Sequence, residues 1–419
     1  MNIKTCPLSS ALALSLSSTL ALSGVSGSQA ASTIPAEPEP VEYVHACDAY
    51  GAGYFYIPGT ETCIRISGNV RADFAGGDNI NAITDAELAN GKKTYRTTSR
   101  LTLIFQAASE TELGTLRSYA EIRSQWGKGK DNSGGQLRAA YIEIGGFRVG
   151  LDKTIFDSWT GGYGKVINDD SIAPAGDIRT NVISYTFNAD SGFSAIVGVE
   201  LGNASGPSLK TNAGDNIDYY YIDKDSKIVR VDDTDLPSKQ TKDYNPNILF
   251  GMKFMQKWGG VSTIVAYDAY YKKWAAKTRV DFNINNNLNL WAMGGYKNNL
   301  DYYIVNTVED SNNVLSRQNT TIYANWGGKW AAWAGATYKI NPKANLNAQV
   351  SYSAIKTFAT SVNIAYKLIP GFVITPELTY ISWKDDRTFK GKASNDTHYS
   401  NALNGKSALQ SMIRFQRSF

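Results

Sequence analysis

The chain has 419 residues, 42% hydrophobic and 12% aromatic with 25 tyrosines, and its 42 Lys+Arg against 38 Asp+Glu give a formal net charge of +4. That balance gives no reason to expect nucleic acid as a partner, and beyond residue 30 no apolar run reaches the ~18 residues a membrane helix requires. Only two histidines are present, His45 and His398, in settings unsuited to histidine-dependent catalysis or a catalytic metal, so no enzyme activity, metal or cofactor is expected.

The first four residues are a short basic segment and residues 11–22 are apolar with interspersed serines. Ser28-Gln29-Ala30 then supplies small residues for a signal peptidase, which predicts a signal peptide over 1–30 and an exported mature chain. Losing Lys4 with it leaves 41 basic against 38 acidic residues, a net of +3. Cys6 precedes the apolar stretch, where it reads as a discarded residue and not a lipid attachment site. Residues 31–42 hold Pro35, Pro38 and Pro40 among glutamates and read as an extended leader. Cys47 and Cys63 are the only cysteines left after cleavage. In an oxidising periplasm they are expected to form a disulfide, whose loop is worth about 3 kcal/mol in the chain-entropy picture. The expected organisation is signal peptide 1–30, periplasmic leader and disulfide-closed segment 31–62, and one further domain over 63–419.

That domain alternates at period two. In 64–74, Ile64, Ile66, Gly68, Val70, Ala72 and Phe74 take one parity, and Arg65, Ser67, Asn69, Arg71 and Asp73 the other. Successive strand residues point to opposite faces of a sheet, so this is a strand with one apolar and one polar side. Leu101, Leu103 and Phe105 oppose Arg100, Thr102 and Gln106 in the next segment, and Leu116, Ala120, Ile122 and Trp126 oppose Arg117, Glu121, Arg123 and Gln125 in the one after. Further segments follow at 183–187, 193–201, 248–254, 261–267, 278–284, 288–296, 330–340, 346–352, 360–368 and 372–383. The last, 409–419, sets Leu409, Ile413, Phe415 and Phe419 against Gln410, Arg414, Gln416 and Ser418, which matches the first strand and predicts that the two pair. Short turns (145–146, 188–192, 258–260, 285–287, 341–343, 370–371) largely alternate with long polar loops (75–94, 152–178, 202–246, 298–320, 384–405). This asymmetry, with the tyrosine content, favours an outer-membrane barrel over a soluble sandwich. The fold class is therefore all-β: a transmembrane antiparallel β-barrel of about 16 strands, wide enough for an aqueous channel.

The run Cys47-Asp48-Ala49-Tyr50-Gly51-Ala52-Gly53-Tyr54-Phe55-Tyr56-Ile57-Pro58-Gly59-Thr60-Glu61-Thr62-Cys63, followed by Ile64-Arg65-Ile66-Ser67-Gly68, closely resembles the start of the alphaproteobacterial porins of the Brucella and Rhizobiales type. Further echoes are Glu110-Thr111-Glu112-Leu113-Gly114-Thr115, Val166-Ile167-Asn168-Asp169-Asp170, Pro370-Gly371-Phe372 and Arg414-Phe415-Gln416-Arg417-Ser418-Phe419. The resemblance implies a homotrimer of sixteen-stranded barrels set in outer-membrane lipid and lipopolysaccharide, passing small hydrophilic solutes and ions by diffusion. It also implies that barrel-assembly machinery reads the terminal aromatic Phe419. The long insertion at about 203–246 departs from it.

A porin filters by the size and charge of its constriction. The stretch matching an inward-folded third loop is 152–177, with Asp152, Asp157, Asp169, Asp170 and Asp177 and the bendable Gly161, Gly162 and Gly164. Facing it, the polar parity of the first five strands supplies Arg65, Arg71, Arg100, Arg117, Arg123, Arg138 and Arg148, some of them near the rims or paired with glutamates such as Glu121. Permanently charged arginines opposite carboxylates would set a transverse field across the pore. Competing readings are a substrate-specific channel with an aromatic ladder, and a plugged barrel acting as adhesin or anchor through the 203–246 loop. The aspartates Asp223, Asp225, Asp232, Asp233 and Asp235 lack the pattern of a calcium loop, and Trp326, Trp330 and Trp333 read as interface anchors. Arg417 shares the lipid-facing parity, and its place near a strand end should let it reach the interface, where the cost falls to about 0–1 kcal/mol.

Overall fold

The period-two alternation becomes sixteen antiparallel strands closed into a barrel. The computed structural model describes residues 45–82, 87–88, 95–127, 130–131, 135–161, 164–172, 178–202, 219–223, 225, 227–231, 243–307, 313–318, 322–391 and 398–419. The signal-peptide segment 1–30, the leader up to residue 44, and Asp177, Asp232, Asp233 and Asp235 lie outside the described residues.

The wall strands are β1 (Cys63–Gly77), β2 (Tyr95–Thr111), β3 (Gly114–Gly127), β4 (Gln136–Ile144), β5 (Phe147–Lys153), β6 (Arg179–Asn188), β7 (Phe193–Glu200) and β8 (Asn247–Gln256). They continue as β9 (Gly259–Asp268), β10 (Lys273–Asn283), β11 (Leu288–Lys297), β12 (Trp330–Asn341), β13 (Ala344–Ser353), β14 (Thr357–Ile369), β15 (Phe372–Trp383) and β16 (Lys406–Ser418). Each pairs with its sequence neighbour, and the ring closes where β16 pairs with β1: Asp73 opposite Arg414, Phe74 opposite Ile413, Asn69 opposite Ser418. Phe419 extends this seam, since its N–H donates to the Gly68 carbonyl (3.0 Å) and the Gly68 N–H to its own carbonyl (2.9 Å). Closure leaves no free wall edge, so the backbone polar groups of the wall are satisfied in a solvent that offers none.

Outward positions form a continuous apolar belt, with Val70 and Phe74 on β1, Ile248, Phe250 and Phe254 on β8, and Val362 and Ile364 on β14 all exposed. Aromatic rings mark its margins. At the long-loop end Trp274 packs on Tyr296 (5.5 Å between centroids) and Trp330 on Tyr352 (5.9 Å), and at the short-turn end Trp258 on Phe282 (6.3 Å). Arg417 donates to the Pro370 carbonyl (2.9 Å) in the β14–β15 turn, which places its charge at the short-turn margin as expected.

Short turns are tight because their residues permit it. Between β4 and β5 the two-residue turn Gly145-Gly146 has φ of 55° and 91°, the left-handed pair that matches strand twist in a hairpin. At the other end the connections are longer, but two of them, 269–272 and 354–356, are as short as the inner turns. The remaining long loops are not featureless. Tyr219–Ile222 and Lys227–Arg230 from the β7–β8 loop, Tyr302–Thr307 and Asn313–Gln318 from the β11–β12 loop, and Thr388–Gly391 and His398–Asn401 from the β15–β16 loop join into a second, six-stranded closed barrel. Asp223 accepts the N–H groups of Asp225 (2.9 Å) and Lys227 (2.8 Å), and so closes the first of these hairpins.

The Cys47–Cys63 disulfide is present, and both cysteines are buried. It ties a short segment to the foot of β1, where Phe55–Tyr56 pairs with Cys63 and Ile64. Tyr54 points inward and donates to Gln106 on β2 (2.9 Å).

If the parity is right, Val70→Arg should destabilise the barrel by about 2–4 kcal/mol, because it puts a charge in mid-strand against lipid. Arg71→Val, one position along and facing the lumen, should cost clearly less. Urea unfolding in lipid vesicles measures both.

Candidate functional site

The lumen is divided by the loop between β5 and β6, residues 154–178. It leaves the wall after Lys153, the last residue of β5, so Asp152 belongs to the wall and not to the loop. Thr154 caps the short helix α1 (Ile155–Ser158) by accepting the Phe156 N–H (3.2 Å). The start of the loop is held by Glu200, the last residue of β7, which is fully buried. Its carboxylate accepts the Ile155 N–H (2.6 Å), the Thr154 hydroxyl (3.0 Å) and the Tyr323 hydroxyl (2.7 Å) from the β11–β12 loop.

From there the loop runs along the inner wall to the far side. The α1 residue Phe156 lies under the Lys277 ammonium of β10 (4.9 Å), and Trp159 under that of Lys253 on β8 (4.1 Å). Trp333 on β12 donates to the Ile172 carbonyl (2.7 Å), Gln349 on β13 to that of Asp169 (3.0 Å), and Asn363 on β14 to that of Lys165 (3.0 Å). The loop then ends its reach on Glu377 of β15, whose carboxylate accepts the backbone N–H groups of Ile167 and of Asn168 (2.7 Å). Asn363 donates to the same carboxylate (2.9 Å). The third loop is therefore folded into the barrel and fastened to the half formed by β7–β15.

The other half carries the arginines. Arg71 on β1, Arg100 on β2, Arg123 on β3, Arg138 on β4 and Arg414 on β16 lie within electrostatic range of one another. Asp73 receives Arg414 through both carboxylate oxygens (2.7 and 2.9 Å) and lies 3.5 Å from Arg71, while Glu121 receives Arg123 (3.4 Å). Arg100 donates to Gln125 (2.7 Å). Five guanidinium groups thus lie together with the carboxylates of Asp73 and Glu121. The remaining expected arginines form a second group nearer the short turns. Arg148 stacks over Tyr141 (4.4 Å) and bonds Glu143 (2.6 Å) and Asp152 (2.7 Å), Arg117 pairs in register with Glu143, and Arg65 lies 6.0 Å from the Tyr54 ring.

The expected acidic residues are scattered. Asp152 is spent on Arg148, and Asp157 is buried in α1, where it acts through space on Lys277. Asp169 is half-buried and Asp170 exposed on the loop that crosses the lumen, while Asp177 lies outside the described residues. Burial, and secondarily the neighbouring Asp170, raise the Asp169 carboxyl to about 7.

The tryptophan reading is corrected in part. Trp330 is exposed on the lipid side, but Trp326 and Trp333 are buried and pack edge-on (5.4 Å) on the lumen side, where Trp333 helps hold the loop. The sequence alone does not single out Glu200 or Glu377, and it places Arg414 only on the polar face of the last strand. All three share the inward parity of their strands, and Glu377 stands between Thr375 and Thr379 on the polar face. That parity marks them as lumenal, while the loop they hold becomes visible only in three dimensions.

Residues 32–412 match the protein family described as porin subfamily. The chain belongs to this family. It is 39% identical over 430 residues to the porin Omp2b of Brucella suis and 39% identical over 432 residues to that of Brucella abortus (strain 2308), each alignment covering 100% of both chains. Its fold is similar to the outer membrane channel DcaP of Acinetobacter baumannii, with a TM-score of 0.58 at 14% identity over 87% of this chain and 99% of that one. The protein is an outer-membrane porin, a non-enzymatic channel.

The porin's third loop should depend on its two glutamate anchors. Glu377→Ala leaves two loop N–H groups unpaired, at about 1–3 kcal/mol each, and should raise single-channel conductance and open-channel noise in planar bilayers. Glu377→Gln, which keeps an acceptor oxygen, should fall between it and the native porin.

Proposed function

We propose that this porin is a general diffusion channel for small hydrophilic solutes and ions, with a constriction between the third loop and the arginine wall. The observation that carries this reading is the asymmetry of the lumen: the loop is fastened to β7–β15, and the opposite wall bears five arginines against Asp73 and Glu121. Asp169 and Asp170 supply the acidic side of the field. Arg71, Arg100, Arg123, Arg138 and Arg414 supply the basic side, and Arg65, Arg117 and Arg148 belong to the inner vestibule. A dipolar solute passing between them is oriented, and an apolar one gains nothing to offset losing its water.

The aromatic ladder of a substrate-specific channel has weaker support. Tyr119 and Tyr141 stack on each other (4.9 Å, 9°) and Arg148 covers the other face of Tyr141, so these rings are engaged with one another and not with solutes. The signal peptide 1–30, the leader before the disulfide segment, the homotrimer, the surrounding lipid and lipopolysaccharide, and recognition of Phe419 by assembly machinery complete the proposal.

Asp169→Asn with Asp170→Asn should move the reversal potential in a salt gradient toward anions, and Arg100→Ala should move it toward cations and enlarge the pore. No shift from either would place the narrow zone elsewhere. The raised Asp169 carboxyl gives a second test. It is charged above about pH 7 and protonated below, so acidification through that value should shift selectivity toward anions. Asp169→Asn should abolish this step.

A further inference from the structure

The six-stranded loop barrel bears on how solutes reach the channel. Its contributing loops leave the rim between β7 and β8, between β11 and β12, and between β15 and β16. Going from the first junction to the last crosses eight strands, β8 to β15, and returning crosses the other eight, β16 and β1 to β7. The first and last loops therefore spring from opposite points of the mouth. They nevertheless pair with each other directly, Lys227 beside Lys390 and Ile228 beside Gly391, and through the middle hairpin, where Tyr220 opposes Tyr303 and Val314 lies beside Ser400. Strands rooted at opposite points can meet only by crossing the opening.

The structure so formed is filled. Ile228, Tyr303 and Leu315 are buried inside it with Tyr220 and Ile222 packed against them, as expected where even eight strands leave only room for side chains. It offers no passage along its own axis. One flank of it also packs on the rim. Tyr219, Tyr302 and Val231 pack with Tyr221, Ile304 and Tyr271, and Tyr271 belongs to the short β9–β10 connection. On the same side Lys356 of the β13–β14 connection pairs with Asp386 of the β15–β16 loop (2.6 Å). The two short outer connections thus serve as seats for the cap.

We infer that this cap is a second filter, set ahead of the proposed constriction, which obstructs access along the barrel axis and passes only solutes small enough to enter beside it. The long insertion is then part of the permeation machinery, since it supplies two of the six strands.

Two cap-breaking variants test this. Leu315→Asp places a charge in the filled interior, and replacing residues 219–231 with a flexible Gly/Ser linker removes one hairpin; neither touches the wall strands. Heat-modifiable migration on gels confirms that the barrel has folded. Liposome swelling with sugars of graded size should show that both variants admit sugars the native porin excludes and speed the largest permeant several-fold, with a smaller proportional change for potassium chloride conductance. An unchanged size cut-off, or a change equal for all solutes, overturns the filter.

Discussion

The architecture of this pore depends on two carboxylates buried where a channel wall would be expected to face water. Glu200 and Glu377 stand almost opposite one another in strand order and hold the beginning and the far reach of the same loop. Glu200 accepts the Ile155 N–H and two hydroxyls, and Glu377 two backbone N–H groups, so the polar groups of the loop that leave water are paired. A loop of polar sequence and few internal bonds would otherwise prefer solvent. Fastened at its start and at its far reach, it lies against β7–β15, sets Phe156 and Trp159 under two lysines, and leaves the arginine half uncovered.

That division explains a feature of the charges. The basic residues beneath the loop, Lys253 and Lys277, are engaged with rings, whereas on the other half five arginines lie together with Asp73 and Glu121. In the proposed channel, charge on the covered half holds the loop and charge on the open half acts on solutes. The cap extends the asymmetry outward, because it is seated over the short connections on the loop's side of the barrel.

Much of this was legible in the sequence, for a physical reason. A barrel wall forces strict alternation, so Val70 and Phe74 against Arg71 and Asp73 identify both the strand and its two environments. The same logic paired the first strand with the last and foresaw the escape of Arg417 to the margin. The fold and the disulfide followed. The acidic half of the site was less legible, because proximity of a loop residue depends on which strand the loop reaches. Asp152 lies in the loop stretch by sequence but is a wall residue bound to Arg148, and Asp157 is buried in α1. The cap escaped altogether, since its strands of four to six residues pair between three loops distant in sequence and leave no periodic signal long enough to read.

The central claim is that the passage runs along the arginine wall because the loop is fastened to the other half. Rates of cysteine modification by a small charged thiol reagent test it most directly, with single cysteines at Arg71, Arg123 and Arg414 on one half and at Gln349, Ser361 and Asn363 on the other. Fast modification with current block at the first three, and protection at the last three that is lost when Glu377→Ala is added, is the predicted result. Equal rates on both halves would contradict it.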